Sequence, residues 1–242
     1  MIEAALSYCG QPPLPGQWLT RWNLDPWLML VFIPGLLLLL RQTPAAPARR
    51  RAGMLALGIL ALAFVSPLCP LANALFALRA VHHLLLILVA APLLALAWPG
   101  RTAHTPVPAL LLSTISLWFW HWPTAYTAAL ASPFVYWAMQ ASLLGSFTLF
   151  WRRVLHSDHA LIPALLAIVG AAAAMGLLGA ILTFAPRALY AEHARWPLVY
   201  GLSTLEDQQL AGLIMWVPAM APFLLLAALI LHRSWPVLSA RA

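Results

Sequence analysis

The sequence predicts an all-α, polytopic membrane protein: a bundle of seven transmembrane helices with its N-terminus outside and its C-terminus inside. Three observations lead there. Hydrophobic residues fill 63% of the 242 positions and charged residues only 8%, far below the roughly 25% of soluble domains. The apolar residues lie in continuous runs, not in the alternation of a barrel strand. The basic residues, 13 in all and every one an arginine, fall mainly in short connections between those runs. Scattered in this way they form a topology signal, not a basic face for nucleic acid.

The runs at 24–40, 53–66, 75–98, 107–120, 133–151, 161–185 and 210–231 are read as the spans, because about 20 residues cross the hydrocarbon core. The second and fourth are short and need their flanks, or a thin or tilted passage, to complete the crossing. Residues 1–17 have neither a basic start nor an apolar run, so the first span is expected to be retained. Residues 1–242 then form a single transmembrane domain, with an outer N-terminal segment at 1–23 and an outer loop at 186–209.

Arginine placement orients the set. Arg41, Arg49, Arg50, Arg51, Arg101, Arg152, Arg153, Arg233 and Arg241 share one side, which becomes the cytoplasmic one. Arg21, Arg187 and Arg195 lie on the other. Glu3, Asp25, Glu192, Glu206 and Asp207 fall outside and only Asp158 inside, so the acids agree.

This topology gathers polar and sulfur-bearing side chains at one level near the outer face. Arg79, His82 and His83 occupy one wedge of the third span, where ionisable groups are expensive and tend to mark function. One imidazole is a candidate ligand or proton carrier; the alternative is a pair of histidines that only hydrogen-bond between helices. Arg79 repels a cation and calls for an anionic partner, such as Asp207, a haem propionate or a lipid phosphate. In Trp120-His121-Trp122-Pro123-Thr124-Ala125-Tyr126, Pro123 ends the fourth helix. The tryptophans and Tyr126 match an interfacial aromatic belt, while His121 shares the level of His82 and His83.

On the seventh span Gln208, Gly212, Met215 and Ala219 share a face, and Met175, Gly179 and Thr183 do so on the sixth. Such faces permit close helix packing, or, where thioethers meet imidazoles, suit the soft ion Cu(I). His104, His156, His159 and His232 read as solvated loop histidines, and His193 sits in the outer loop with nothing to support a role. Cys9 and Cys69 both fall outside, where they are a disulfide, soft metal ligands or unrelated.

Taken together these segments resemble the CtaG-like cytochrome c oxidase assembly proteins over most of the chain. The most specific part is Asp207-Gln208-Gln209-Leu210-Ala211-Gly212-Leu213-Ile214-Met215-Trp216-Val217-Pro218, which is similar to the family's DQQLxGLIMWVP signature. Val81-His82-His83-Leu84-Leu85-Leu86, Trp120-His121-Trp122-Pro123 and Leu178-Gly179-Ala180-Ile181-Leu182-Thr183-Phe184-Ala185 also fit. Arg79 stands where many members have the first histidine of the third span, and the fifth span lacks a histidine. The resemblance implies a bacterial inner-membrane protein that matures a haem–copper oxidase, with oxidase subunits and membrane lipid as partners and copper delivery, or maturation of the copper-bearing subunit, as its expected task. The expected Cu(I) ligands are His83 and His121, then His82, Met175 and Met215. Arg79, Asp207 and Gln208 are expected to complete the site, with Asp207 pairing Arg79 or closing it and Gln208 bonding across helices. Two other readings use the same residues: a membrane haem or quinone protein with imidazole ligands, and a metal-free docking protein for oxidase subunits. No nucleophile–base pair or phosphate loop is present in the sequence, so an enzyme is not expected.

Overall fold

A computed structural model describes residues 8–42, 46–98, 105–155 and 161–239. The described residues are helical or irregular, without strands. Helix α1 (Pro26–Gln42) starts with proline at its first turn, where a missing N–H costs nothing. Asp25 Oδ1 accepts from the Trp27 N–H at 3.0 Å. Helix α2 (Pro47–Phe64) ends before Pro67, and the chain bends by 45° into α3 (Leu68–Ala74). An extended Leu75 separates α3 from α4 (Phe76–Leu84).

Directly after His82 and His83 the helix widens into a π-helical stretch, Leu85–Ala90, before α5 (Ala91–Ala97). The cause is local: Pro92 has no N–H for the Leu88 carbonyl, and the Ala91 N–H reaches Leu86 instead. The Trp151 indole supplies one donor from outside, bonding the Ile87 carbonyl at 2.7 Å.

The second half of the chain runs through α6 (Val107–Trp120), α7 (Pro123–Ala131), α8 (Pro133–Leu155) and α9 (Leu161–Phe184). A connection carrying a 3-10 turn (Ala191–His193) and the short α10 (Trp196–Val199) leads to α11 (Thr204–Trp216). Ser203 and Glu206 close a reciprocal capping box at the start of α11. Pro218 breaks the path to α12 (Met220–Ser239).

Three of these stretches are long and apolar enough to cross a bilayer: Phe76–Ala97, Leu161–Phe184 and Thr204–His232. The bent pair Pro47–Phe64 and Leu68–Ala74 makes a fourth if it is one span, and Pro26–Arg41 and Val107–Trp120 are shorter apolar helices. Leu30, Val31, Leu111, Ile115, Leu166, Leu224 and Leu225 all lie more than half exposed. Apolar surface on that scale is a liability in water and natural against lipid.

The seventh expected run begins earlier than its apolar stretch, at Thr204, because the capping box and Asp207 start the helix. Helices α3, α7 and α10 lie outside the seven expected runs. His104, His156, His159, Arg101, Asp158, Arg241 and Glu3 lie outside the described residues.

Helix α11 packs against both α9 and α4, and two glycines set its closest approach. A Cβ on Gly179 would stand 2.7 Å from the Gly212 carbonyl oxygen, and one on Gly212 would stand 2.5 Å from that of Gly179. Because these neighbours are backbone, the helices themselves must part. Gly179→Ala and Gly212→Ala are each expected to cost about 1 to 3 kcal/mol. Thermal melts in detergent check this, with Gly58→Ala, which meets nothing within 4 Å, as the control.

Candidate functional site

The polar residues of α4 face inward. Arg79, His82 and His83 are buried, with His82 fully inaccessible. The helix is held there by an unusual partner at its start. Asp207, on α11, accepts from the Phe76 N–H (2.7 Å) and the Ala77 N–H (3.0 Å), one bond to each carboxylate oxygen. A carboxylate on the open N–H groups of a helix satisfies them and meets the positive end of its dipole. Asp207 therefore does not pair with Arg79. Arg79 Nη2 instead donates to Asn73 Oδ1, and its guanidinium stands over the Tyr136 ring at 5.5 Å.

Three of the histidines come together. The His83 and His121 rings are 5.9 Å apart between centroids and nearly perpendicular, and His82 lies 5.9 Å from His83 on the other side. His121 Nδ1 bonds the Leu117 carbonyl at 2.7 Å. A carbonyl only accepts, so Nδ1 carries the proton and Nε2 keeps its lone pair. Neither ring nitrogen of His83 has a hydrogen-bond partner among the described residues, whereas the His82 ring lies against the Ala63 carbonyl. His82 packs edge-on against Phe64. No group of three or more His, Cys, Asp or Glu with metal-binding geometry occurs among the described residues. What the arrangement offers is a pair of facing imidazoles.

Met175 and Met215 are buried in the core, on α9 and α11. Gln208 is tied to the segment that follows α9: its Oε1 accepts from the Leu189 N–H at 2.6 Å, and its Nε2 points at the Leu182 and Arg187 carbonyls. Asp207 and Gln208 thus hold two structural elements in place, one on each side of α11.

Tyr126 does not belong to an interfacial belt. It is 1% exposed, and its hydroxyl meets His193 Nε2 at 2.7 Å. His193, which the sequence left without a role, is buried, with Nδ1 facing the Ala74 carbonyl at 3.3 Å. Tyr190 reaches over to the His121 carbonyl at 2.7 Å and stacks on Phe76. The connection between α9 and α11 therefore folds down onto the start of α4. Tyr136 and Gln140 on α8 are also buried polar residues that sequence reasoning passed over. Their signal was present as an amide four residues after a tyrosine inside an apolar run, one helical turn apart.

The two cysteines form a disulfide, Cys9–Cys69, with Cα atoms 5.2 Å apart. It ties the N-terminal segment to α3, and the Tyr136 hydroxyl lies 3.3 Å from Cys9 Sγ. Asn73 Nδ2 to the Gly10 carbonyl and Tyr200 to the Pro13 carbonyl hold the same segment down.

A helical membrane protein with buried imidazoles under a disulfide-tied cover is the class these features define. The sequence profile of the cytochrome c oxidase caa3 assembly factor family matches residues 30–235, and the chain belongs to that family. No curated protein and no solved structure matches it.

Two predictions follow from this geometry. Asp207→Ala leaves two buried N–H groups open and should cost about 2 kcal/mol, while Asp207→Asn, which keeps one acceptor, should cost less; melting temperatures of the two variants check the order. Burial lowers the His193 imidazole from 6.5 to about 4, with the Ala74 carbonyl opposing the shift and Arg79 adding to it. A neutral buried imidazole contributes stability that is complete above pH 6.5 and lost as the pH falls toward 4. The wild-type melting temperature should therefore fall between pH 7 and pH 5, and His193→Gln should flatten that part of the profile.

Proposed function

We propose that this protein holds one Cu(I) between His83 and His121 and passes it to the copper-bearing subunit of the oxidase it helps to assemble. The observation that carries the reading is the approach of these two imidazoles, 5.9 Å between centroids, from helices separated by a long stretch of chain. Cu(I) accepts two nitrogen donors in a near-linear arrangement, and imidazole is a ligand suited to it. The tautomer set by the Leu117 carbonyl leaves His121 with an available lone pair, and His83 has no competing bond. Two ligands bind a metal that must later leave more suitably than four would. His82, on the far side of His83, would receive the ion in a ligand exchange, and the Met175 and Met215 thioethers would serve only in that transfer, outside the resting two-imidazole shell.

The topology belongs to the proposal. Seven crossings, N-out and C-in, put His83 and His121 toward the outer face of a bacterial inner membrane, where the copper centre of the client oxidase also opens. The arginine bias and the disulfide, which suits an oxidising compartment, both support that orientation.

Anaerobic titration of the purified protein with Cu(I), against a chromophoric chelator, tests the carrier role. The parent is expected to take up one Cu(I) per chain, and the His83→Ala/His121→Ala double variant to bind at least about 100-fold more weakly, as loss of two charge-stabilising donors implies. A double variant that competes as well as the parent removes the proposal.

A further inference from the structure

Arg79 presents a problem of charge that the fold does not solve by itself. It is 1% exposed, and a guanidinium does not give up its proton inside a protein. Asp207, its expected counter-ion, uses both oxygens on backbone N–H groups of α4. The partners Arg79 does have are an amide oxygen of Asn73, the hydroxyls of Tyr126 and Tyr136 and the ring face of Tyr136, and none of them carries a formal charge. Its Nε and Nη1 have no hydrogen-bond partner among the described residues.

The shortage extends to its neighbours. Tyr136 has both Arg79 and Gln140 beside its hydroxyl. Gln140 is 2% exposed, and beyond the Tyr136 hydroxyl its amide finds no hydrogen-bond partner among the described residues. Buried donors are nearly always paired, and a buried charge without compensation is strongly destabilising. Free N–H groups and an unbalanced positive charge in one place are both answered by the same thing, a negatively charged ligand.

We propose that Arg79 anchors a binding site for one small inorganic anion of chloride size. Arg79 Nε and Nη1 supply the charged donors, and the Gln140 amide supplies a neutral one. A small free anion fits better than a lipid phosphate. The site lies under the disulfide-tied N-terminal segment, with Cys9 Sγ against Tyr136, and a headgroup would have to bring its acyl chains with it. The site does not depend on copper, and an anion beside α4 would offset the repulsion that Arg79 exerts on any cation at His83.

The test uses copper-free protein in nanodiscs of zwitterionic lipid, titrated with chloride in place of gluconate at constant ionic strength. A ligand that binds only the folded state raises its melting temperature in a saturable way, by about 4 °C at a chloride concentration well above its dissociation constant. Arg79→Gln is expected to abolish the chloride response while melting in gluconate no lower than the wild type, because it removes the uncompensated charge. Gln140→Ala, which keeps the cation, should shift the half-saturating chloride concentration upward about 5-fold or more. The proposal is overturned if chloride leaves the wild-type melting temperature unmoved, or raises that of Arg79→Gln equally. A response that requires anionic lipid and ignores chloride overturns it as well. Because no step involves copper, a failed Cu(I) titration leaves this result standing, and the reverse holds too.

Discussion

The carboxylate of Asp207 on the first two N–H groups of α4 is the contact on which the site depends. It joins residues 130 and 131 positions apart in sequence and fixes one helix against another at a defined height. From that anchor, one turn along α4 brings Arg79 to the level of Asn73, and the next places His82 and His83. The glycine crossing of α9 and α11 then sets how far the anchor itself can move. A helix start that is buried and not capped would leave open N–H groups in an apolar surrounding, which is among the costlier arrangements available to a chain.

The same contact explains why an arginine and two histidines coexist in a buried layer. An acid that neutralised Arg79 directly would remove both the charge and the free donors around it. Since Asp207 is committed to the backbone, the positive charge stays beside the two imidazoles. Neutral imidazoles are the form that binds metal. Cys9–Cys69, Tyr190 and His193 pack the N-terminal segment and the connection before α11 over this layer and keep its groups buried.

Much of the helical architecture was legible in the sequence because apolar runs and prolines report on one dimension at a time. The run at 107–120 coincides with α6, and Pro123 ends that helix by opening the next one. The breaks inside the runs were harder to read: Pro92 widens a helix without ending it, whereas Pro218 interrupts one. His83 and His121 could be singled out from the sequence as candidate ligands, but their approach in space is read from the structure alone. The Asp207 cap did not follow, because an acid at a helix start reads as a cap for its own helix, and here Ser203 and Glu206 already fill that role. His193 was hidden for a related reason. A loop histidine looks solvated until the loop is seen to fold back onto Phe76 and Tyr126. The disulfide pairing was equally out of reach, since a separation of 60 residues says nothing about approach in space.

X-ray absorption at the copper edge of the Cu(I)-loaded protein tests the central claim most directly, because it reports the donor atoms themselves. With α4 held as described, the first shell should contain two imidazole nitrogens, with the outer-shell scattering of histidine rings and no sulfur. A first shell of sulfur donors would mean that thioethers or reduced cysteines hold the metal, and would contradict the account.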